Sequence, residues 1–273
     1  MYRKRTDGIG GIVLWLTRGG RDGQIFAGAL KKLTLGRGGA NGPSTMPISA
    51  LAIRRITIDV KRVTEAADMG LFWLGDENDL THGWAIVCGC EGTPYYGGAF
   101  CFEVNFPENY PFEPPKFNYL TNDGRTRFNP NLYKNGKVCL SLLNTWQGEQ
   151  WSGVQSLLSI LQNIQTAVLI EKPLLNEPAY SSATVHADIP LYNQIVFHAT
   201  LETAILGQLT ELPPYIVPFY DAIRAWTLKA RDTVVAAARE HATTLDGKTA
   251  QMPFYSITMK FHFAELADRL AAL

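Results

Sequence analysis

The sequence predicts an α+β domain: a four-stranded antiparallel meander with helices gathered at either end of it. Three observations carry that prediction. Four strand-like runs follow one another, separated by short polar or glycine-bearing turns, and this order favours antiparallel neighbours over crossover units. A basic amphipathic segment precedes them, and long segments with apolar residues at helical spacing follow them. A length of 273 residues suits a medium domain with extensions, and 46% hydrophobic with 18% charged residues is ordinary for a globular chain.

Residues 1–46 are rich in Gly and Arg. Arg3, Lys4, Arg5, Arg18, Arg21, Lys31, Lys32 and Arg37 face only Asp7 and Asp22 there, so the remainder of a chain of zero formal net charge is net acidic. A hairpin about Gly19-Gly20 fits the pattern, but two isolated strands are marginal without a packing partner. The segment reads as an N-terminal extension, disordered or the remnant of a larger polypeptide. Its start imitates a signal peptide, yet Arg18, Arg21 and Asp22 separate the apolar run from the small residues at 27–29, so secretion is not expected.

From Ser49, a plausible N-cap, a helix is expected with Leu51, Ile56, Val60 and Val63 on its apolar face and Arg54, Arg55, Lys61 and Arg62 on the remaining surface. The strand runs are 71–75, 83–89, 97–106 and 116–120. Phe100, Phe102, Val104 and Phe106 alternate onto one buried face, which turns Cys101 to the other. Pro111, Pro114 and Pro115 fix φ and donate no backbone hydrogen bond, so "NYPFEPPKF" is a rigid surface crossing. Residues 154–170 form a central helix with Leu157, Leu158, Ile160, Leu161, Ile164 and Val168 inward, and Gln155, Ser159, Gln162, Asn163 and Thr166 on the less apolar side. Pro173 and Pro178 break it. A helix over 190–209, at least one more ended by Gly247, and an amphipathic tail complete the chain.

Zero net charge argues against a nucleic-acid partner, and no apolar run approaches the roughly 20 residues of a membrane span. Cys88, Cys90 and Cys101 cluster while Cys139 stands alone, unlike a secreted disulfide framework. Cys88-Gly89-Cys90 has the wrong spacing for zinc and no second pair follows, so no metal is expected. A reducing compartment, cytoplasmic or nuclear, is the natural setting.

The stretch "FNPNLYKNGKVCLSLLNTW", 128–146, places Cys139 between a lysine-bearing turn and an apolar run. It is either a core residue or a nucleophile at the edge of a loop. No His lies near it in sequence, so a Cys-His pair has no support. "TPYYGGAFCFEVNFPENYPFEPPKF" and "NPNLYKNGKVCLSLL" resemble the Tyr-x-Gly-Gly-x-Phe strand, the Tyr-Pro-Phe-x-Pro-Pro crossing and the His-Pro-Asn signature of ubiquitin-conjugating enzymes. The cysteine stands at the family's distance after the Asn. Trp151-Ser152 resembles the family's Trp-Ser-Pro, and "LYNQI" the start of its last helix. The resemblance covers roughly residues 47–209 and leaves 210–273 as a C-terminal helical extension. Two departures, Asn129 in place of the signature His and the long 140–150 segment, resemble the large hybrid enzymes that combine conjugating and ligase activity.

The resemblance implies a fold and a chemistry. Cys139 would take the carboxyl terminus of ubiquitin from an activating enzyme as a thioester, then yield it to a lysine of a protein substrate. No metal or organic cofactor is needed, and ATP is used upstream. A thiolate suits both steps, being a good nucleophile and a good leaving group. Asn131 would donate to the oxyanion or fix the loop. Asn129 would hold the loop, with Pro130 beside it. Lys137 would share a face with Cys139 or remain simply solvated. Glu177 and Asn176 would line the gate for the incoming amine, with Tyr133, Ser141 and Trp151 as support. Arg54, Arg55, Lys61 and Arg62 would meet the activating enzyme. Phe112 and Ser152 would meet a ligase, although Gly153 replaces the expected proline. Gln162, Asn163 and Thr166 would receive the folded-back ubiquitin. The alternatives are a non-catalytic ubiquitin-binding scaffold, which typically lacks the cysteine, and an enzyme for a ubiquitin-like modifier.

Overall fold

A computed structural model describes residues 48–180 and 188–273; the hairpin expected at Gly19-Gly20 lies outside them. Helix α1 spans Ala50–Thr64. The Ser49 hydroxyl accepts from the Ala52 N–H at 3.0 Å, and Lys61 and Arg62 stand in the last turn, where the helix dipole favours cations. Ile56, Val60 and Val63 are buried, but Leu51 is 52% exposed. Ala52 takes the expected place of Leu51 because 52, 56, 60 and 63 stay in phase at 100° per residue, whereas 51 points elsewhere.

Strands β1 (Leu71–Gly75), β2 (His82–Cys88), β3 (Ala99–Asn105) and β4 (Lys116–Tyr119) pair antiparallel in the order β1-β2-β3-β4. The register sets Leu71 opposite Val87, Val87 opposite Phe100, and Phe102 opposite both Ala85 and Tyr119. These residues share one buried face. Ile86, Cys88, Ala99 and Cys101, on the other face, are buried as well. The C-terminal helices explain that second burial, as described below.

Helix α2 (Leu157–Asn163) is closed at its start by a reciprocal box: the Ser156 hydroxyl accepts from the Ser159 N–H, and the Ser159 hydroxyl accepts from the Ser156 N–H. It therefore begins three residues later than the apolar run, leaving Val154 outside at 91% exposure. The helix continues as a π turn, Ile164–Val168, in which the Leu169 N–H reaches the Ile164 carbonyl at 2.9 Å. The Gln165 amide, buried, ties this turn to the sheet by donating to the carbonyls of Met69 and Cys88.

Helix α3 (Asp188–Ala199) continues as a second wide-turned stretch, Thr200–Glu211, which packs on β3. Helix α4 (Tyr220–Leu245) ends before Gly247, whose φ of +76° suits glycine. The Thr227 hydroxyl of α4 donates to the Gly97 carbonyl at 3.0 Å, and Gly70 is enclosed by the Trp226 ring and the Cβ of Cys88. The Gln208 amide donates to the Thr121 hydroxyl at 2.8 Å. Residues 210–273 thus dock on the sheet, and the described residues pack around one core.

The tail is amphipathic as expected, but only its last part is helical. Ile257, Met259, Phe261 and Phe263 are buried with a period of two, and the chain forms a hairpin of β5 (Thr249–Met252) and β6 (Ile257–Lys260) before α5 (Phe263–Ala271). Period-two burial needs a strand; the helical spacing begins at Phe263.

His198, 1% exposed, sits among Phe261, Phe263 and His262 and accepts from the His262 N–H at 3.2 Å. Burial, with His262 and Arg125 adding repulsion, pushes its pKa down from 6.5 to about 3. Below pH 6.5 the unfolded chain takes up a proton that the folded state refuses. The contribution to stability is therefore full above that pH and falls by up to ~1.4 kcal/mol per pH unit between the two pKa values. Urea unfolding at pH 7.5 and pH 5.0 should show a loss at the lower pH that His198→Gln, which retains an acceptor, reduces.

Candidate active site

The segment around Cys139 is a short hairpin. Asn131–Tyr133 runs against Lys137–Cys139, with the Cys139 N–H donating to the Asn131 carbonyl at 2.9 Å and the Tyr133 N–H to the Lys137 carbonyl at 3.0 Å. The tip closes by a turn in which the Gly136 N–H donates to the Tyr133 carbonyl. Gly136 has φ +87°, and a Cβ there would meet Asn118 Oδ1 at 2.1 Å. The Tyr119 N–H donates to the Gly136 carbonyl at 2.7 Å, which sews the hairpin tip to β4. Asn131 and Cys139 thus stand opposite each other. The Asn131 Nδ2 donates to the Cys139 carbonyl at 2.6 Å, so in the resting structure this amide holds backbone.

Beneath the hairpin lies Asn129, 0% exposed. Its Nδ2 donates to the Val168 carbonyl at 2.7 Å and more weakly to Tyr95 Oη at 3.4 Å. Its Oδ1 accepts from the Asn131 N–H at 2.8 Å and from Asn176 Nδ2 at 3.3 Å. The π turn matters here: carbonyls at a helix end lack intrahelical partners, and Val168 and Ala167 offer theirs to Asn129 and Asn176. Asn176 is consequently turned inward onto this hub rather than toward a gate. Glu177 follows it in extended backbone, half-buried, with its N–H on the Leu174 carbonyl. Pro130 is buried, and its carbonyl accepts from Arg127.

Arg127 was not singled out by the sequence, yet it organises the hairpin's flank. Its guanidinium lies 3.5 Å from the ring centre of Tyr133 and 4.7 Å from that of Tyr255, and it also donates to the Asn129 carbonyl. Lys134 Nζ donates to the Tyr255 carbonyl at 3.2 Å, so the C-terminal β5-β6 hairpin touches the cysteine hairpin. Lys137 is exposed and leans over Tyr133, with Nζ 5.5 Å from the ring centre.

After Cys139 the chain forms a short helical turn, Ser141–Leu143, and then an excursion, 144–150. Asn144 adopts φ +55°, and its side-chain oxygen accepts from the Trp151 N–H at 2.8 Å. Trp151, 8% exposed, donates from its indole to the Pro111 carbonyl at 2.8 Å and packs on Tyr110. Gly148 sits close against Ser141. Sequence reading left Cys139 as either a core residue or a nucleophile at a loop edge; its exposure is 2%. Val138 and Leu140 on either side belong to the core, while Cys139, between them in extended backbone, turns to the other face and is covered there.

The remaining expected residues lie on the surface around this hairpin. Phe112 is 73% exposed and Ser152 is exposed; Val154, at 91%, adds an apolar side chain that sequence reading passed over. Gln162 and Asn163 are half-buried and Thr166 is exposed, its hydroxyl on the Gln162 carbonyl. Arg54, Lys61 and Arg62 are exposed on α1. Arg55 departs from them. It bonds both carboxylate oxygens of buried Asp59 at 3.1 Å and the carbonyls of Gly153 and Gln155, and Asp59 also accepts from the Tyr110 hydroxyl. A buried carboxylate must be paired, so Arg55 is held as an internal strut. The signal was available: an Asp four residues after an Arg, at an apolar-phase position of the helix.

Asn129→Ala should strand the Asn131 N–H, while the Val168 carbonyl keeps the Ile170 N–H and Asn176 Nδ2. A loss of about 1–3 kcal/mol is expected in urea unfolding, the cost of one polar group left unsatisfied.

Residues 55–200 match the ubiquitin-conjugating enzyme family. Human ubiquitin-conjugating enzyme E2 Z is 34% identical over 234 residues, which cover 85% of this chain and 65% of that protein. Its Xenopus tropicalis counterpart is 33% identical over 233 residues, covering 81% of this chain and 70% of that one. Human BIRC6, a dual E2 ubiquitin-conjugating enzyme/E3 ubiquitin-protein ligase, is 33% identical over 215 residues, 72% of this chain but 4% of its own length. With a hairpin that sets Asn131 against Cys139, a four-stranded meander and matches of this extent, the chain belongs to the ubiquitin-conjugating enzyme family.

Proposed function

We propose that this chain conjugates ubiquitin through Cys139. The thiolate attacks the thioester carbonyl of ubiquitin carried by an activating enzyme; the new C–S bond forms as the old one breaks, and the activating enzyme's sulfur leaves as thiolate. A substrate lysine amine then attacks the Cys139 thioester, the C–N bond forms, the C–S bond breaks, Cys139 departs as thiolate, and the proton lost from the nitrogen passes to Glu177 or solvent. The observation that carries this reading is the pairing of Asn131 and Cys139 across the hairpin, with the amide 2.6 Å from the cysteine's own carbonyl. Released from that carbonyl, the same amide is free to donate to the oxyanion that develops on the thioester's carbonyl oxygen during attack. An exposure of 2% at Cys139 means that transfer requires the groups covering Sγ to move aside.

Asn129, Pro130 and Asn176 hold the hairpin in this reading, with Tyr133, Lys137 and Ser141 around it. Glu177 attends the incoming amine. Arg54, Lys61 and Arg62 meet the activating enzyme, whose approach a basic helix steers; Arg55 is withdrawn from that face by Asp59. Phe112, Ser152 and Val154 offer a contact to a ligase. Gln162, Asn163 and Thr166 offer one to the donor ubiquitin. Cys88, Cys90, Cys101 and Cys139 are all free thiols, which supports a cytoplasmic or nuclear setting. Among the described residues no helix is long and apolar enough to cross a membrane. We also read residues 47–209 as the conjugating core.

Incubation with activating enzyme, ATP and ubiquitin should give a reductant-sensitive adduct that Cys139→Ser abolishes; an adduct formed with another modifier but not with ubiquitin reassigns the substrate, and no adduct with any leaves a binding scaffold. Asn131→Ala should slow discharge of a formed thioester to free lysine by roughly 10²–10³-fold, the loss typical of one oxyanion donor.

A further inference from the structure

Two peptide units flank Cys139, and each has one N–H and one C=O to satisfy. Asn131 serves half of them: its carbonyl accepts from the Cys139 N–H at 2.9 Å, and its Nδ2 donates to the Cys139 carbonyl at 2.6 Å. The other half falls to one side chain from the 144–150 excursion. The Thr145 hydroxyl accepts from the Leu140 N–H at 2.9 Å and donates to the Val138 carbonyl at 2.8 Å, with the Leu140 carbonyl a longer alternative at 3.1 Å. The Thr145 N–H also returns to the Leu140 carbonyl at 3.1 Å. Both peptide planes around Cys139 are thereby fixed, and with them the direction of its Cα–Cβ bond, which leaves Sγ one rotatable bond from a fixed frame.

Resting on the reading of Cys139 as nucleophile, we infer that Thr145 is a positioning residue for it: its hydroxyl clasps the Val138 carbonyl and the Leu140 N–H from the side opposite Asn131. A hydroxyl is the smallest group that accepts and donates at one atom, which is what a peptide N–H and a carbonyl on either side of one residue require. Packing does not account for the residue, because Thr145 as a whole is exposed while its hydroxyl is turned inward. Nor is the contact a local turn bond, since it reaches back five and seven residues along the chain. The excursion between Cys139 and Trp151 thus gains a role beyond a loop insertion. Asn144 and Trp151 anchor it at one side, so that Thr145 is delivered to the cysteine strand.

The test compares the 273-residue wild type with Thr145→Val and Thr145→Ser in single-turnover discharge of the ubiquitin thioester to free lysine, at matched folded fractions. Val keeps the shape and removes the hydroxyl; Ser keeps the hydroxyl. The Val variant should lose kcat by roughly tenfold and at most about 100-fold, the range for a thioester carbonyl held up to 1 Å away from its place before the attacking amine, with KM for lysine unchanged. Ser should restore most of the loss. A general loosening of the fold would instead lower the melting midpoint and spare the split between kcat and KM. Should the Val variant not fold, amide hydrogen exchange in the wild type decides: the Leu140 N–H is expected to be protected, and rapid exchange there overturns the inference. A Val variant that matches a wild type able to form the adduct overturns the Thr145 role alone. A wild type that forms no adduct overturns the assignment of Cys139, and the clasp falls with it.

Discussion

The buried amide of Asn129 is the constraint on which the cysteine hairpin depends. One side chain, fully enclosed, joins the loop before the hairpin, the π turn of the central helix and the segment at Asn176. A primary amide offers two donors and an acceptor with two lone pairs, and each of these directions is used here. Because a buried polar group left unpaired is costly, the three segments are held to one mutual arrangement. Loosening any of them would leave an orphaned group in the interior.

From that hub the order propagates outward in one step. Asn129 fixes the Asn131 N–H; Asn131 then grips Cys139 through both its carbonyl and its amide; and the 144–150 excursion closes on the other side of the same strand. The widened turn at Ile164–Val168 is what frees the Val168 and Ala167 carbonyls for this use, a role consistent with π turns gathering at functional sites. The second buried polar knot, Arg55 with Asp59 and Tyr110, works at the other end of the site. It fixes α1 to the stretch before α2, beside the surface that carries Phe112 and Val154.

The C-terminal helices bear on the site as well as on the core. They cover the second face of the sheet, which turns Cys88 and Cys101 into interior residues, and the β5-β6 hairpin brings Tyr255 against Arg127 and Lys134. A segment far along the chain therefore buttresses the hairpin that holds Cys139.

Periodicity determined a good deal by itself. The four strands, their antiparallel order, the Ser49 cap and the break at Gly247 were legible because each is a local matter of alternation, phase or φ. A motif singled out Asn131 and Cys139, but the hairpin that sets them opposite each other was read only as a loop. What the sequence could not decide is which polar side chains turn inward. Arg55 and Arg54 are adjacent and equally basic, yet one meets a buried carboxylate and the other meets solvent. Asn176 reaches Asn129, 47 residues away along the chain, and the Thr145 hydroxyl turns inward although the residue as a whole is exposed. A hydrogen bond is satisfied in three dimensions, where residues far apart in sequence first meet, so its choice of partner belongs to the tertiary structure.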